Sequence, residues 1–257
     1  MNSIERIPKG KDICLIDADS LLYYEMGKST LEEALVGLDT RISHILTQCN
    51  TNYYAGFLTM SRCYRYQVDT EYKVKRKESK TKRPIIFAAL QEYLRQRWGF
   101  TYMTEVEADD LVAYYSYNTE RKTIICSPDK DVLYQCVGMH YNYRTTEFVH
   151  TSPEDALKFL WKQVLMGDAT DGIPGLKGVG DKTSTNWLKD RTKDFESFAL
   201  KKYVEQFGMT EGIFRFNQTF RLVYLLKTDE DVQREIGDKR IPDLVILESE
   251  PLKTEEW

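Results

Sequence analysis

Histidine is scarce in this chain: three occur in 257 positions, His44, His140 and His150, and no two are neighbours. That scarcity argues against a zinc centre built on imidazole. The five cysteines, Cys14, Cys49, Cys63, Cys126 and Cys136, are an odd number without C-x-x-C spacing. Cys14 and Cys126 fall in apolar, strand-like runs, so reduced core thiols are expected in preference to bridges or zinc ligands. No apolar run is long enough to span a bilayer and no signal peptide is recognisable, so the expectation is a cytosolic protein without a membrane partner. Excess positive charge is lacking too. The net charge is −4, and any surface for nucleic acid must be local. Internal repeats and low-complexity segments are also missing.

What remains is ordinary globular material, 42% hydrophobic and 30% charged, enough for one large domain or two small ones. Ile13 to Ile16 is a short apolar run that stops at Asp17-Ala18-Asp19. It predicts a buried parallel strand with carboxylates at its C-terminal end, where open α/β sheets place their crevice. Ser29 and Thr30, each three residues before Glu32 or Glu33, predict capping boxes. Leu31, Ala34, Leu35, Leu38, Ile42, Ile45 and Leu46 then predict an amphipathic helix over 30–49. A second strand is expected over Tyr53–Thr59, a helix from Pro84 through Arg97 and a short strand around Phe100–Met103. Further expectations are a helix over Leu111–Tyr117, a strand over Thr123–Cys126 and a hairpin around Arg144. Ser152 and Pro153 should cap a helix through Met166. Helices near Thr183–Leu188, Phe195–Phe207 and Glu211–Lys227 follow. Residues 228–257 read as a weakly patterned acidic tail with a strand at Leu244–Leu247.

Three stretches concentrate chemistry. Between Arg62 and Arg83 nine basic residues face three acids, with Tyr64, Tyr66 and Tyr72 interleaved. Rings stack on bases while cations neutralise phosphates, so the run suits single-stranded nucleic acid; a solvated charged face is the alternative. Glu105-Val106-Glu107-Ala108-Asp109-Asp110 sets four acids in six residues before a helix. Capping explains acids in a first turn, but crowded like charges call for a compensating cation. Asp129 and Asp131 follow the Thr123–Cys126 strand. Last, Met166–Lys182 (MGDATDGIPGLKGVGDK) holds Asp168 and Asp171, then Gly172, Gly175, Gly178 and Gly180, and Lys182-Thr183 open a helix. Glycines before a helix N-terminus make an anion site, most simply for phosphate, or merely a turn between helices. The P-loop spacing is absent, and no strand is expected before the run.

The pattern G-D-x-x-D-x-I-P-G-x-x-G-x-G-x-K resembles the helix-three-turn-helix of the 5′-nuclease, or flap endonuclease, family, which includes phage 5′-3′ exonucleases and the 5′-nuclease domain of bacterial DNA polymerase I. Glu71-Tyr72-Lys73-Val74-Lys75-Arg76 resembles the family's E-Y-K-x-x-R segment at the base of its helical arch. E-A-D-D (Glu107, Asp109, Asp110) and Ser127-Pro128-Asp129-Lys130-Asp131 resemble its carboxylate motifs. The resemblance covers roughly residues 12–227.

That resemblance implies an α/β fold: a PIN-like domain with a central, mostly parallel sheet over 1–165, carrying a basic helical arch at about 62–95, and a helix-hairpin-helix subdomain over 166–230; beyond it, composition marks 231–257 as an acidic tail. It implies metal-dependent hydrolysis of DNA phosphodiesters, as 5′-3′ exonuclease and flap endonuclease. Asp17, Glu107, Asp109, Asp110, Asp129, Asp131, Asp168 and Asp171 would hold two or more Mg²⁺ or Mn²⁺ ions, which prefer oxygen ligands. Lys73 and Arg76 would contact the scissile phosphate, with Tyr72 stacked nearby. Gly175, Gly178, Gly180, Lys182, Thr183, Arg65 and Lys75 would contact DNA, and K⁺ would bind at the glycine-rich turn. Flap, nicked or 5′-ended DNA is the expected partner, with RNA primers and replication proteins further candidates. A monomer in the cytoplasm is expected, the host's if a phage encodes it. One departure stands out: where the family's second strand ends in an aspartate, this chain reads Gly56-Phe57-Leu58-Thr59-Met60-Ser61. Asp19 is the substitute to consider. The rival expectations are a branched-DNA binder that has lost cleavage and a PIN-like ribonuclease.

Overall fold

The computed structural model of the protein describes residues 12–74 and 85–249. Lys75, Arg76 and the expected helix start at Pro84 lie outside the described residues. The chain forms two compact units, both discontinuous in sequence. The first takes Met1–Arg62, Arg83–Thr151 and Leu226–Trp257; the second takes Cys63–Lys82 and Ser152–Leu225. The sequence-based boundaries at 165 and 230 follow chain order, whereas these units follow packing.

In the first unit, β1 (Ile13–Asp17), β2 (Tyr53–Phe57), β3 (Thr123–Cys126), β4 (Gly138–Asn142), β5 (Glu147–Thr151) and β8 (Leu247–Glu248) form one sheet in the order β5-β4-β3-β1-β2-β8. The inner four strands are parallel, and β5 and β8 pair antiparallel at the edges. β1 is buried along its whole length, as its unbroken apolar run requires. Helices α1 (Asp19–Glu25), α2 (Leu31–Gln48), α4 (Ile85–Trp98), α5 (Ala108–Tyr117), α6 (Lys130–Gln135) and α11 (Asp229–Ile236) belong to the same unit.

α2 starts where its sequence dictates. Thr30 accepts from Glu33 N, and the Glu33 carboxylate accepts from Thr30 N, a reciprocal box that contributes about 1 kcal/mol. Ser29 is not a second cap: its N–H also donates to Glu33. Ala34, Leu38, Ile42, Ile45 and Leu46 face the sheet, each larger side chain stabilising by about 1.5–3 kcal/mol.

Three expectations need correction. The strand around Phe100–Met103 is reduced to one bridge, Thr101 to Phe57. α5 begins at Ala108, three residues early, because Glu107 and Asp110 cap each other. The tail beyond 228 contains α11, whose Thr228 and Asp231 form a capping box, and β8 at the sheet edge. Tyr114 Oη donates to Asp229 at 2.5 Å and Tyr115 Oη to Pro242 O at 2.7 Å, fastening this segment to α5.

The second unit comprises α3 (Arg65–Val68), α7 (Pro153–Met166), β6 (Gly167–Asp168), β7 (Ile173–Pro174), α8 (Asp181–Leu188), α9 (Phe195–Phe207) and α10 (Met209–Val223). Trp161, Val164, Leu165, Leu188, Tyr203, Phe216 and Leu222 lie in its core. Tyr203 Oη, buried there, donates to Val164 O at 2.7 Å. Among the described residues, no helix is long and apolar enough to cross a membrane.

Candidate metal and nucleic-acid site

Two parallel strands of the first unit deliver carboxylates at their C-terminal ends. Asp17 closes β1; its Oδ2 accepts from Ser127 Oγ at 2.8 Å, and Oδ1 accepts from Asp19 N at 3.2 Å. Ser127, just past β3, is wholly buried, and its Oγ also accepts Asp129 N at 3.0 Å. Asp129 is the N-cap of α6, with Oδ1 accepting Asp131 N at 2.8 Å. One hydroxyl therefore joins the ends of β1 and α6. Tyr143 Oη donates to Asp17 O at 2.7 Å from beyond β4. Neither Ser127 nor Tyr143 was singled out from sequence. Ser127 had a signal, because it opens the Ser-x-Asp-x-Asp run; Tyr143 had none in its spacing.

Burial, then the negative charges of Asp19 and Asp129, push the Asp17 carboxyl up to about 7, although Ser127 and the Asp19 N–H pull the other way. Asp19 is placed by a separate contact: its Oδ1 accepts from Thr59 N at 2.9 Å. Thr59 lies just beyond β2, in the stretch that has no aspartate of its own. Asp19 thus carries a carboxylate from the end of β1 to the end of β2. Thr59 Oγ1 in turn accepts Ala108 N at 2.9 Å, fixing the start of α5.

At that start, Glu107, Asp109 and Asp110 each bring a carboxylate oxygen within 4.8 Å of the others. Asp109 Oδ1 accepts Asp110 N at 2.7 Å. Asp110 is fully buried, and its Oδ1 accepts Leu226 N at 3.1 Å. Capping and cation binding, weighed as rivals in the sequence, are compatible here: Asp110 caps, and the three oxygens lie close enough together that they could share a metal ion. The donors in this unit's acidic set are all carboxylate, a hard set that fits a hard divalent ion.

The second unit holds the other pair. Asp168 Oδ1 accepts Thr170 N at 2.8 Å and Asp171 N at 3.4 Å, closing a turn between β6 and β7. This two-residue strand β6 precedes the glycines, contrary to expectation. Lys73 N donates to Asp171 O at 2.7 Å, and Lys73 Nζ stands 3.8 Å from Asp171 Oδ2 and 4.9 Å from the Tyr72 ring centre. Lys73 holds φ 54°, a left-handed conformation uncommon for a lysine.

Two expected nucleic-acid contacts are corrected. Arg65 is 1% exposed; its guanidinium donates to Leu222 O at 2.9 Å and Tyr224 O at 2.8 Å, so it braces the second unit from within. Tyr72 is 3% exposed in the same core, edge-on to Tyr66, rather than an open stacking platform. The glycines divide as well. A side chain on Gly175 would meet Met166 C at 2.2 Å, so that glycine serves the β6–β7 approach. Gly178 (φ 77°) and Gly180 have open space around the Cβ position, and Gly180 caps α8 with no side-chain bond. Lys182 is exposed, and Thr183 half-buried, in the first turn of α8.

The family model described as "5'-3' exonuclease, N-terminal resolvase-like domain" matches residues 12–159. The 5'-3' exonuclease of Buchnera aphidicola subsp. Acyrthosiphon pisum is 32% identical over 145 residues, 50% of this chain and 49% of that protein. The exodeoxyribonuclease of Enterobacteria phage T3 is 32% identical over 131 residues, 48% of this chain and 42% of its own. The chain thus spans about half the length of these relatives. Among solved structures, the bacteriophage T5 flap endonuclease in a pseudo-enzyme-product complex with DNA and metal ions superposes with a TM-score of 0.66 at 17% identity, covering 86% of this chain and 90% of that one. That likeness shows the fold.

Proposed function

The chain belongs to the 5′-3′ exonuclease N-terminal, resolvase-like family, and from that membership we propose that it hydrolyses DNA phosphodiesters with divalent metal, as a 5′-3′ exonuclease and flap endonuclease. The observation that carries the reading is the presence of two all-carboxylate clusters in one unit, Asp17 with Asp19 and Asp129 past β1 and β3, and Glu107, Asp109 and Asp110 at the start of α5, with Asp17 pushed up to about 7 by burial and its neighbours' charge. Like charges so crowded are what a bound cation relieves. Asp17, Glu107, Asp109, Asp110, Asp129 and Asp131 would hold the ions, with Asp19 in place of the aspartate absent beyond β2. Mg²⁺ or Mn²⁺ suits such oxygen donors. When bound, such ions supply Lewis acidity toward the phosphodiester and lower the pKa of water.

The chain's own groups divide the remaining work. Ser127 and Tyr143 fix the Asp17 strand end. Asp168 and Asp171 shape the turn that holds Lys73, whose ammonium offers charge to a phosphate oxygen; Arg76 shares that role by resemblance. Gly178, Gly180, Lys182 and Thr183 present backbone N–H groups and a cation to the duplex backbone. K⁺ at that turn, RNA primers as substrate and replication proteins as partners rest on the family resemblance.

The test is a 5′-flap duplex labelled on the flap strand, incubated with Mg²⁺, Mn²⁺ or EDTA, beside Asp129→Asn. Asparagine caps a helix as well as aspartate, so the variant removes charge and spares α6. Expected is metal-dependent cleavage near the junction, lowered by about 100-fold or more in the variant, the several kcal/mol that metal-borne charge contributes. Tight DNA binding with no cleavage in any metal would replace this reading with an inactive branched-DNA binder.

A further inference from the structure

Behind the carboxylates, on one face of the same sheet, three thiols meet. Cys14 pairs with Ile124 across β1 and β3, and Cys126 stands two residues further along β3, so both point to the same face. Cys49, the C-cap of α2, approaches from the helix layer, its Sγ 3.8 Å from Cys126 Sγ. All three sulfurs lie within 4.8 Å of one another. Cys126 is in register with Tyr141 on β4, which places that ring beside it on the same face. Tyr141 is fully buried, and its hydroxyl is without a hydrogen-bond partner. A buried hydroxyl left unsatisfied costs about 1–3 kcal/mol, and native cores seldom tolerate it without a reason.

The dimensions suit a metal. With Cys49 and Cys126 Sγ 3.8 Å apart and no pair of the three sulfurs beyond 4.8 Å, a central ion could stand near the zinc–thiolate length of about 2.3 Å from the sulfurs. Tetrahedral ligands at that length stand about 3.8 Å apart, the separation of Cys49 and Cys126. We propose that Cys14, Cys49 and Cys126 form a buried three-thiolate site for a thiophilic divalent cation of the zinc and cadmium class, with the Tyr141 hydroxyl donating to the bound thiolates. Binding is a proton exchange: three S–H bonds are lost, three metal–sulfur bonds form, and three protons pass to water. The product carries one net negative charge in an apolar core, and the Tyr141 O–H is the donor that meets it. Ligands from β1, β3 and α2 carry no short sequence spacing, which is why the motif is invisible in the sequence. The site is independent of the nuclease reading.

The probe is cadmium. Reduced full-length protein, stripped with EDTA and then saturated with Mg²⁺ to occupy the carboxylates, is titrated with ¹¹³Cd²⁺ and followed by NMR and by the ultraviolet thiolate-to-cadmium band. One equivalent per chain is expected, with a resonance in the thiolate-rich region. Both signals are lost in Cys49→Ser and kept in the Cys63→Ser/Cys136→Ser double variant, which retains only the three thiols in question. Tyr141→Phe is expected to keep the stoichiometry and weaken affinity about 10-fold, the loss of one hydrogen bond to a charged group. A resonance confined to the oxygen-ligand region, or no thiolate band at any cadmium concentration, overturns the site even if Cys49→Ser fails to fold. Signals that persist in a folded Cys49→Ser also overturn it.

Discussion

Asp17 shows how one side chain can work against the fold it belongs to. In an unfolded chain it ionises near the ordinary carboxyl value of 3.8, whereas in the native protein burial and the charges of Asp19 and Asp129 raise it to about 7. Between those values the native state binds the extra proton, so the metal-free protein loses stability as pH rises from about 4 to about 7. Asp17→Asn removes the penalty. In EDTA the variant should melt above the parent at about pH 8 and within a degree or two of it at about pH 4.5; a parent more stable at pH 8 would contradict the assignment. Arg65 and Lys182 make the complementary case. Both read from sequence as cations for DNA, but Arg65 bonds carbonyls 157 and 159 residues away, a relation no local pattern discloses. Arg65→Ala leaves those buried carbonyls unpaired and should cost about 2–5 kcal/mol in urea denaturation. Lys182→Ala should change stability by less than about 0.5 kcal/mol, while weakening duplex binding uniformly across sequences and lowering the salt slope by about 1. A sequence-selective loss would remove Lys182 from the backbone-contact role.

At the level of elements, legibility followed the strength of local signals. α7 matched its expected bounds because Ser152 accepts Asp155 N at 3.1 Å and Pro153 occupies the first turn. α9 matched too, running from Phe195 to the break at Gly208. α11 was missed because only Val232 and Ile236 give its eight residues an apolar period, too little for a pattern. The glycine-rich motif was read as one device, and the structure separates it into parts. Gly175 is needed where β7 crosses Met166, while Gly180 has open space. Gly175→Ala should therefore destabilise by about 1–3 kcal/mol or more, since backbone atoms must shift. Gly180→Ala should be near neutral in stability, and Gly178→Ala should cost about 1 kcal/mol because its positive φ strains any side chain. Equal losses at 175 and 180 would show that the β6–β7 approach is not what fixes these glycines.

For the whole molecule, the chain order conceals the construction. A cut at 165 looked natural because the glycine-rich motif begins there, but packing places the cut at Ser152 and returns the chain to the first unit at Leu226. The second unit also draws in Cys63–Lys82, which the sequence assigned to the nuclease core. That short segment carries much of the unit's interior: Cys63 and Tyr72 lie in its core, Arg65 bonds Leu222 O and Tyr224 O, and Gln218 Nε2 donates to Val68 O at 3.4 Å. A fragment of residues 152–225 alone lacks all of these groups. Its helices have sound signals of their own, but removing a buried tyrosine costs about 3–5 kcal/mol, and the loss of Arg65 adds the unpaired carbonyls. Together these approach the whole stability of a small domain. The 152–225 fragment should therefore show helical circular dichroism without a cooperative melt. Adding a peptide of residues 63–82 should restore cooperativity and resolved side-chain NMR signals. The same peptide with Arg65→Ala and Tyr72→Ala should restore neither. A fragment that melts cooperatively without the peptide would mean that 63–82 rests on a finished unit and does not complete it.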